Sequence, residues 1–233
     1  LFEGKDQELN FIFEGKEHNI LTSNLYFDVE SHTDSTIKFV AKAAEGKNLI
    51  LSYQLGGSYM VHAQLSMQGM GNLFSPSCKT MDIEWREKCK QQEKGFTFEN
   101  QYSSLTWHDV EGGTDYLSEH SEEVDEPIEC VTDWIAFKNQ FFSSVIISRD
   151  NFKENALVTS IPQKKGSGYL KNYIARLKTP FDPTGARISE FEFYYGPNDF
   201  RLLQDIQEES TFNKELELER LVYLGWPLFR IIN

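Results

Sequence analysis

Five histidines (His18, His32, His62, His108 and His120) and three cysteines (Cys78, Cys89 and Cys130) are the side chains best suited to proton transfer, nucleophilic attack or metal ligation. General acid–base catalysis needs such a group, or a carboxylate, held within hydrogen-bond reach of the reacting atoms. The histidines are scattered along the chain. His62 falls on a β-type run, where it reads as a sheet residue. His108 and Asp109 are adjacent, so on a strand their side chains point to opposite faces and do not form a dyad. No HxH, HExxH or carboxylate cluster predicts a metal. The cysteines are an odd set without CxxC spacing, which argues against zinc and against a dense disulfide framework. Cys78 and Cys89 are close enough to pair in an oxidising compartment; the alternative is three free, partly buried thiols. Ser143-Ser144 and Gly112-Gly113 lack a nucleophile-elbow or phosphate-loop context, and turn chemistry accounts for them. No catalytic, cofactor-binding or metal-ligating residue is assigned.

The chain's last stretch is different. Leu224, Trp226, Leu228, Phe229, Ile231 and Ile232 surround one cation, Arg230. Pro227 suits the first turn of a helix. Two readings stand: the side chains pack against the folded domain, or an amphipathic turn lies on a bilayer with Trp226 and Arg230 at headgroup level. A helix this short binds a bilayer weakly unless something tethers it.

The elements that would position these groups are mostly strands. Residues 9–13, 24–29, 35–42, 49–55 and 59–65 are short β-type runs separated by turn residues such as Glu45-Gly46-Lys47-Asn48 and Gly56-Gly57. They predict an antiparallel meander. Residues 82–94 are polar and free of Pro and Gly, and read as a short surface helix ended by Gly95. A strand follows near 104–110. The acidic stretch 119–129, with Pro127, reads as a solvated loop, and a basic partner surface is the minor alternative. The strongest strand signals come next: 131–137, 140–148, 156–161, 169–177 and 186–195. Residues 198–207 then have helical spacing, with Phe200, Leu203 and Ile206 on one side and Asn198 as cap. Residues 216–224 fit either strand or helix. An all-β sandwich is the expected architecture.

Composition narrows the function. Lys and Arg number 23 against 36 Asp and Glu, a formal net charge of −13 in 233 residues. That field repels phosphate backbones, so no nucleic-acid partner is expected. It also disfavours docking of the whole surface on an anionic leaflet, so any membrane contact should be local and apolar. No window approaches the roughly 20 consecutive apolar residues of a spanning helix. The opening Leu1-Phe2-Glu3-Gly4 lacks an initiator Met and reads as a start partway into a folded unit.

Three segments resemble the YidC family of membrane protein insertases. Trp134-Ile135-Ala136-Phe137-Lys138-Asn139-Gln140-Phe141-Phe142-Ser143-Ser144-Val145-Ile146-Ile147 resembles the tryptophan-led strand pair of that family's large periplasmic domain. Phe193-Tyr194-Tyr195-Gly196-Pro197 is similar to its aromatic-Gly-Pro turn. Leu224-Gly225-Trp226-Pro227-Leu228-Phe229-Arg230-Ile231-Ile232-Asn233 resembles the lead into its second transmembrane helix. Order and spacing also match. The resemblance implies a twisted antiparallel β super-sandwich over residues 1–195, similar to galactose mutarotase, and a C-terminal helical linker over 196–233. It implies a non-catalytic, monomeric domain on the periplasmic face of the bacterial inner membrane. The implied partners are Sec translocon accessory subunits, nascent membrane proteins and, through the terminal segment, the membrane surface. Because related sandwiches act on sugars, the rival expectation is a carbohydrate-binding or mutarotase-like domain, which fold alone does not license.

Overall fold

A computed structural model of the chain describes residues 4–117 and 123–222. It is 54% strand and 12% helix, arranged as two antiparallel sheets. This is the all-β sandwich expected from the alternation of residue types. In chain order the strands are β1 (Gln7–Phe13), β2 (Ile20–Leu21), β3 (Asp28–His32), β4 (Thr36–Ala44), β5 (Lys47–Leu55), β6 (Met60–Gln68), β7 (Thr80–Lys90) and β8 (Ser104–Asp109). They continue as β9 (Gly113–Tyr116), β10 (Val124–Ile128), β11 (Thr132–Lys138), β12 (Phe142–Phe152), β13 (Ala156–Pro162), β14 (Tyr169–Pro180) and β15 (Ser189–Pro197). Helix α1 (Phe96–Gln101) precedes β8, α2 (Phe200–Glu209) follows β15, and a 3-10 turn spans Leu218–Leu221.

The smaller sheet runs β10-β13-β14-β7-β1-β2 and the larger β3-β4-β5-β6-β15-β12-β11-β8-β9. Their facing sides interdigitate around one core, in which Trp85 stacks on Phe137 at 4.0 Å and Phe11 meets Phe191 at 5.5 Å. Toward its β3 edge the large sheet has one covered face, so β6 alternates buried and less buried residues. At its centre both faces are covered. Residues 143–148 of β12 and 132–137 of β11 are therefore buried without alternation, which is why Trp134-Ile135-Ala136-Phe137 and Val145-Ile146-Ile147 read as continuous apolar runs.

Four expectations are corrected. Residues 24–29 are not one strand, since Asn24 closes a 3-10 turn and β3 begins only at Asp28. Residues 82–94 are not a helix: β7 runs through them, paired with β1 on one side and β14 on the other. Met81, Ile83, Trp85, Glu87 and Cys89 point inward with a period of two, and the charged Glu87 in an inward position disguised the alternation. The acidic stretch is not all loop, since Val124–Ile128 pairs with β13. Pro127 is tolerated there because β10 is an edge strand, where one N–H row needs no partner. The cap of α2 is Asp199, whose carboxylate accepts the Leu202 N–H at 2.9 Å. Asn198 instead ties β12 to its preceding turn through Ser143 Oγ and Asn139 O.

Candidate functional site

Strand pairing sets out two transverse rows on the outer face of the large sheet. Met60, Tyr194, Val145, Ala136 and Thr106 lie in register across β6, β15, β12, β11 and β8. The next row is His62, Glu192, Ile147, Trp134 and His108. Its middle is apolar and each end is a histidine beside a carboxylate. The segment after β15 lies over these rows. Leu203 and Ile206 of α2, then Phe212, Leu216, Leu218 and Leu221, close a second core with Met60, Trp134, Ala136, Val145, Ile147 and Tyr194. Burying each such aliphatic or aromatic side chain contributes about 1.5–3 kcal/mol before ordering costs.

Polar bonds place this strap. Glu192, with no exposed surface, accepts Ser210 Oγ at 2.6 Å, and Thr211 N and Thr211 Oγ1 at 2.8 Å each. His62 Nδ1 lies 3.1 Å from the same carboxylate. Three donors and a facing imidazole satisfy a buried carboxylate that would otherwise be costly. Trp134 Nε1 donates to Leu216 O at 2.6 Å. Lys214 Nζ donates to Ser148 O at 2.6 Å and to Asn151 Oδ1. Burial pushes the Lys214 ammonium below its usual pKa, against the pull of Asp133, Asp150 and Glu192. At the end of α2, the strap meets the β5–β6 turn. Ser58 and Tyr59 there adopt φ of 43° and 68°, as in a type I′ turn, and Ser58 Oγ bonds the Glu209 carboxylate. A Cβ at position 57 would lie 2.8 Å from Glu209 Oε2, so a larger residue there would require that carboxylate to shift.

His108 and Asp109 do point apart. The partner of His108 is Asp133, whose Oδ1 is 2.9 Å from Nδ1. The register between β8 and β11 shifts between Thr132 and Trp134, and this bulge re-aims Asp133 toward the histidine. Glu217 Oε2 lies 3.3 Å from Nε2, and Trp134 stacks on the ring at 5.7 Å. Burial opposes charging His108, but the hydrogen bond and charge of Asp133, then those of Glu217, outweigh it and raise its pKa above 6.5. No local spacing marked these residues; the only signal was apolar runs on β11 and β12 long enough to require cover on both faces.

Leu224, Trp226, Leu228, Phe229, Arg230, Ile231 and Ile232 lie outside the described residues, as does His120. Cys78, Cys89 and Cys130 are free thiols, the first two buried. Among the described residues, no group of three or more His, Cys, Asp or Glu is placed to hold a metal ion, and no helix is long and apolar enough to cross a membrane. Elsewhere, a groove of about 680 Å³ opens where β2 and its following turn face β4 and β5. Its apolar lining includes Ile20, Leu25, Ala41 and Leu49, and its rim carries Glu17 and His18. Tyr26, which also borders it, is 96% exposed.

Sheet order, core and strap together define a class: an antiparallel β-sandwich that carries its own C-terminal segment across the outer face of one sheet. Residues 2–233 match the family model described as the YidC periplasmic domain. Over its full length the chain is 47% identical to the membrane protein insertase YidC of Phocaeicola vulgatus. It is 38% identical to the protein of that name from Bacteroides fragilis and 30% identical to that from Porphyromonas gingivalis. The chain belongs to the family of YidC periplasmic domains. It spans about 37% of the length of these curated relatives.

Proposed function

We propose that this domain is a non-catalytic scaffold of a membrane protein insertase on the periplasmic face of the bacterial inner membrane. It assists insertion and folding of inner-membrane proteins by contacting Sec translocon accessory subunits or emerging substrate segments. Residues 1–195 form the scaffold, and 196–233 link it to the membrane part. The observation that carries this reading is the strap. Residues 199–222 are fastened to the sheet by a second core and by Glu192, Trp134 and Lys214. A segment held this firmly passes the orientation of the sandwich to residues 224–232, where Leu224, Trp226, Leu228, Phe229, Arg230, Ile231 and Ile232 supply an apolar surface with one cation for the bilayer interface. The groove beside β2 is the contact surface offered to extended apolar segments, since short edge strands leave backbone groups free for pairing.

Photo-crosslinkers in the full-length protein test this, placed along the groove, on both sheet faces and across 226–232. Capture of Sec subunits or nascent membrane proteins at one contiguous patch supports the scaffold and locates its site. No protein adduct at any position refutes it. The sugar-binding alternative draws on one observation: a histidine, a carboxylate and the exposed ring of Tyr26 border one groove. Shifts of the Tyr26 and His18 resonances on titration with monosaccharides would favour it.

A further inference from the structure

The clamp at the His108 end of the transverse row is built differently from the one at the His62 end. Glu192 keeps three other donors whatever the state of His62. His108 stands alone between two carboxylates, one on the sheet and one on the strap. We propose that His108 is a proton-operated latch: its imidazolium bridges Asp133 to Glu217, and loss of the proton loosens residues 216–222, which the second core and the Trp134 bond still hold on the sheet. This rests on the reading of that segment as the link to the membrane part.

Each ring nitrogen faces a carboxylate, at 2.9 Å on the Asp133 side and 3.3 Å on the Glu217 side. A neutral imidazole has one N–H and cannot donate to both, whereas the cation can. The ring lies parallel to Trp134, with 8° between the planes and centroids 5.7 Å apart, and Trp134 is itself bonded to Leu216 O. When the proton leaves, Asp133 keeps the remaining N–H and a bare nitrogen lone pair faces Glu217. The turn it loosens is poised to open, since Glu217 sits at φ 49° and ψ 36°. That left-handed conformation is disfavoured for a residue with a Cβ.

The surrounding charges favour the proton. Asp133 faces the ring from β11 and Glu217 from the strap. Arg220 holds the other Glu217 oxygen at 2.6 Å, and the Lys214 ammonium acts on Asp133. On the ring's own strand, Asp109 turns away to accept the Glu111 N–H, and Asp115 lies on β9 opposite Trp107. The raised pKa of His108 agrees with this arrangement. For a histidine raised on folding, the docking contribution is complete below the pKa of the open state and lost as pH rises through that of the closed state.

The test is amide hydrogen exchange on the 233-residue chain from about pH 6 to about pH 8.5, a window that starts near the ordinary histidine pKa. Rates are expressed as protection factors, which removes the pH dependence of intrinsic exchange. Protection at 216–222 should fall by up to about tenfold per pH unit, in step with titration of the His108 ring by NMR, relative to the centre of β12. In His108→Gln the fall should disappear, and in Glu217→Gln it should shrink. Constant protection at 216–222 in the unsubstituted chain would overturn the latch, as would loss in a window other than that of the ring. If His108→Gln does not fold, an unchanged pH dependence in Glu217→Gln refutes it equally. These readouts do not involve insertion, so the latch can fail while the scaffold stands, and the reverse.

Discussion

Glu87 is a buried carboxylate whose ionisation bears on the fold. It points between the sheets from β7, 8% exposed, and accepts the Gln7 side-chain N–H at 2.9 Å. Burial raises its pKa from 4.5 to about 7, although the hydrogen bond from Gln7 pulls it down. The sign follows from linkage: between these values the unfolded chain is ionised while the folded chain still holds its proton, so stability falls as pH rises. The full effect is on the order of 3 kcal/mol. Urea unfolding of Glu87→Gln should therefore show a flatter pH profile from about pH 4.5 to about pH 7, with a gain over the parent chain at neutral pH. A second test concerns Trp134. Trp134→Phe removes the donor to Leu216 O and leaves a buried carbonyl unpaired, which should cost about 1–3 kcal/mol by the same assay. Equal stability would mean the bond contributes nothing net.

At the scale of elements, α2 owes its start to Asp199 and its place to Leu203 and Ile206. The apolar spacing of that helix was legible, and its cap was displaced by one residue because Asn198 and Asp199 are both good caps. Tertiary bonds from Asn198 to β12 decided between them. Asp199→Ala should destabilise the domain by about 1 kcal/mol, detected as faster exchange in the first turn of α2. Asn198→Ala should act instead on the β12 entry, through loss of the Ser143 bond. The β7 error has the opposite cause. Its alternation was present, but an inward Glu87 and outward Asp82, Glu84, Arg86 and Lys88 made a central strand look like a solvated helix.

At the scale of the molecule, the strap completes the fold. Ending the chain after residue 197 would uncover Met60, Trp134, Ala136, Val145, Ile147 and Tyr194 on one continuous sheet face. Apolar patches of that kind drive association, so the shortened chain should bind a hydrophobic dye and elute as oligomers in size-exclusion chromatography. A monomer with no dye binding would show that the second core is dispensable. The net charge of −13 acts at the same scale. It keeps the surface repellent to polyanions, and no retardation of duplex DNA is expected at physiological salt.

Period-two alternation, turn residues at regular spacing and continuous apolar runs on β11 and β12 were properties of the chain alone, because local sterics and burial pattern act over a few residues. They sufficed for an all-β sandwich, for most strands, and for the family through Trp134–Ile147, Phe193–Pro197 and the final stretch. Tertiary structure decided what local pattern cannot encode. It paired β7 between β1 and β14, used a bulge to turn Asp133 toward His108, and brought Glu217 to that histidine from 109 residues away. Such contacts depend on register and on which face of a sheet another segment covers, and both are set only when distant parts of the chain bury their apolar surfaces together.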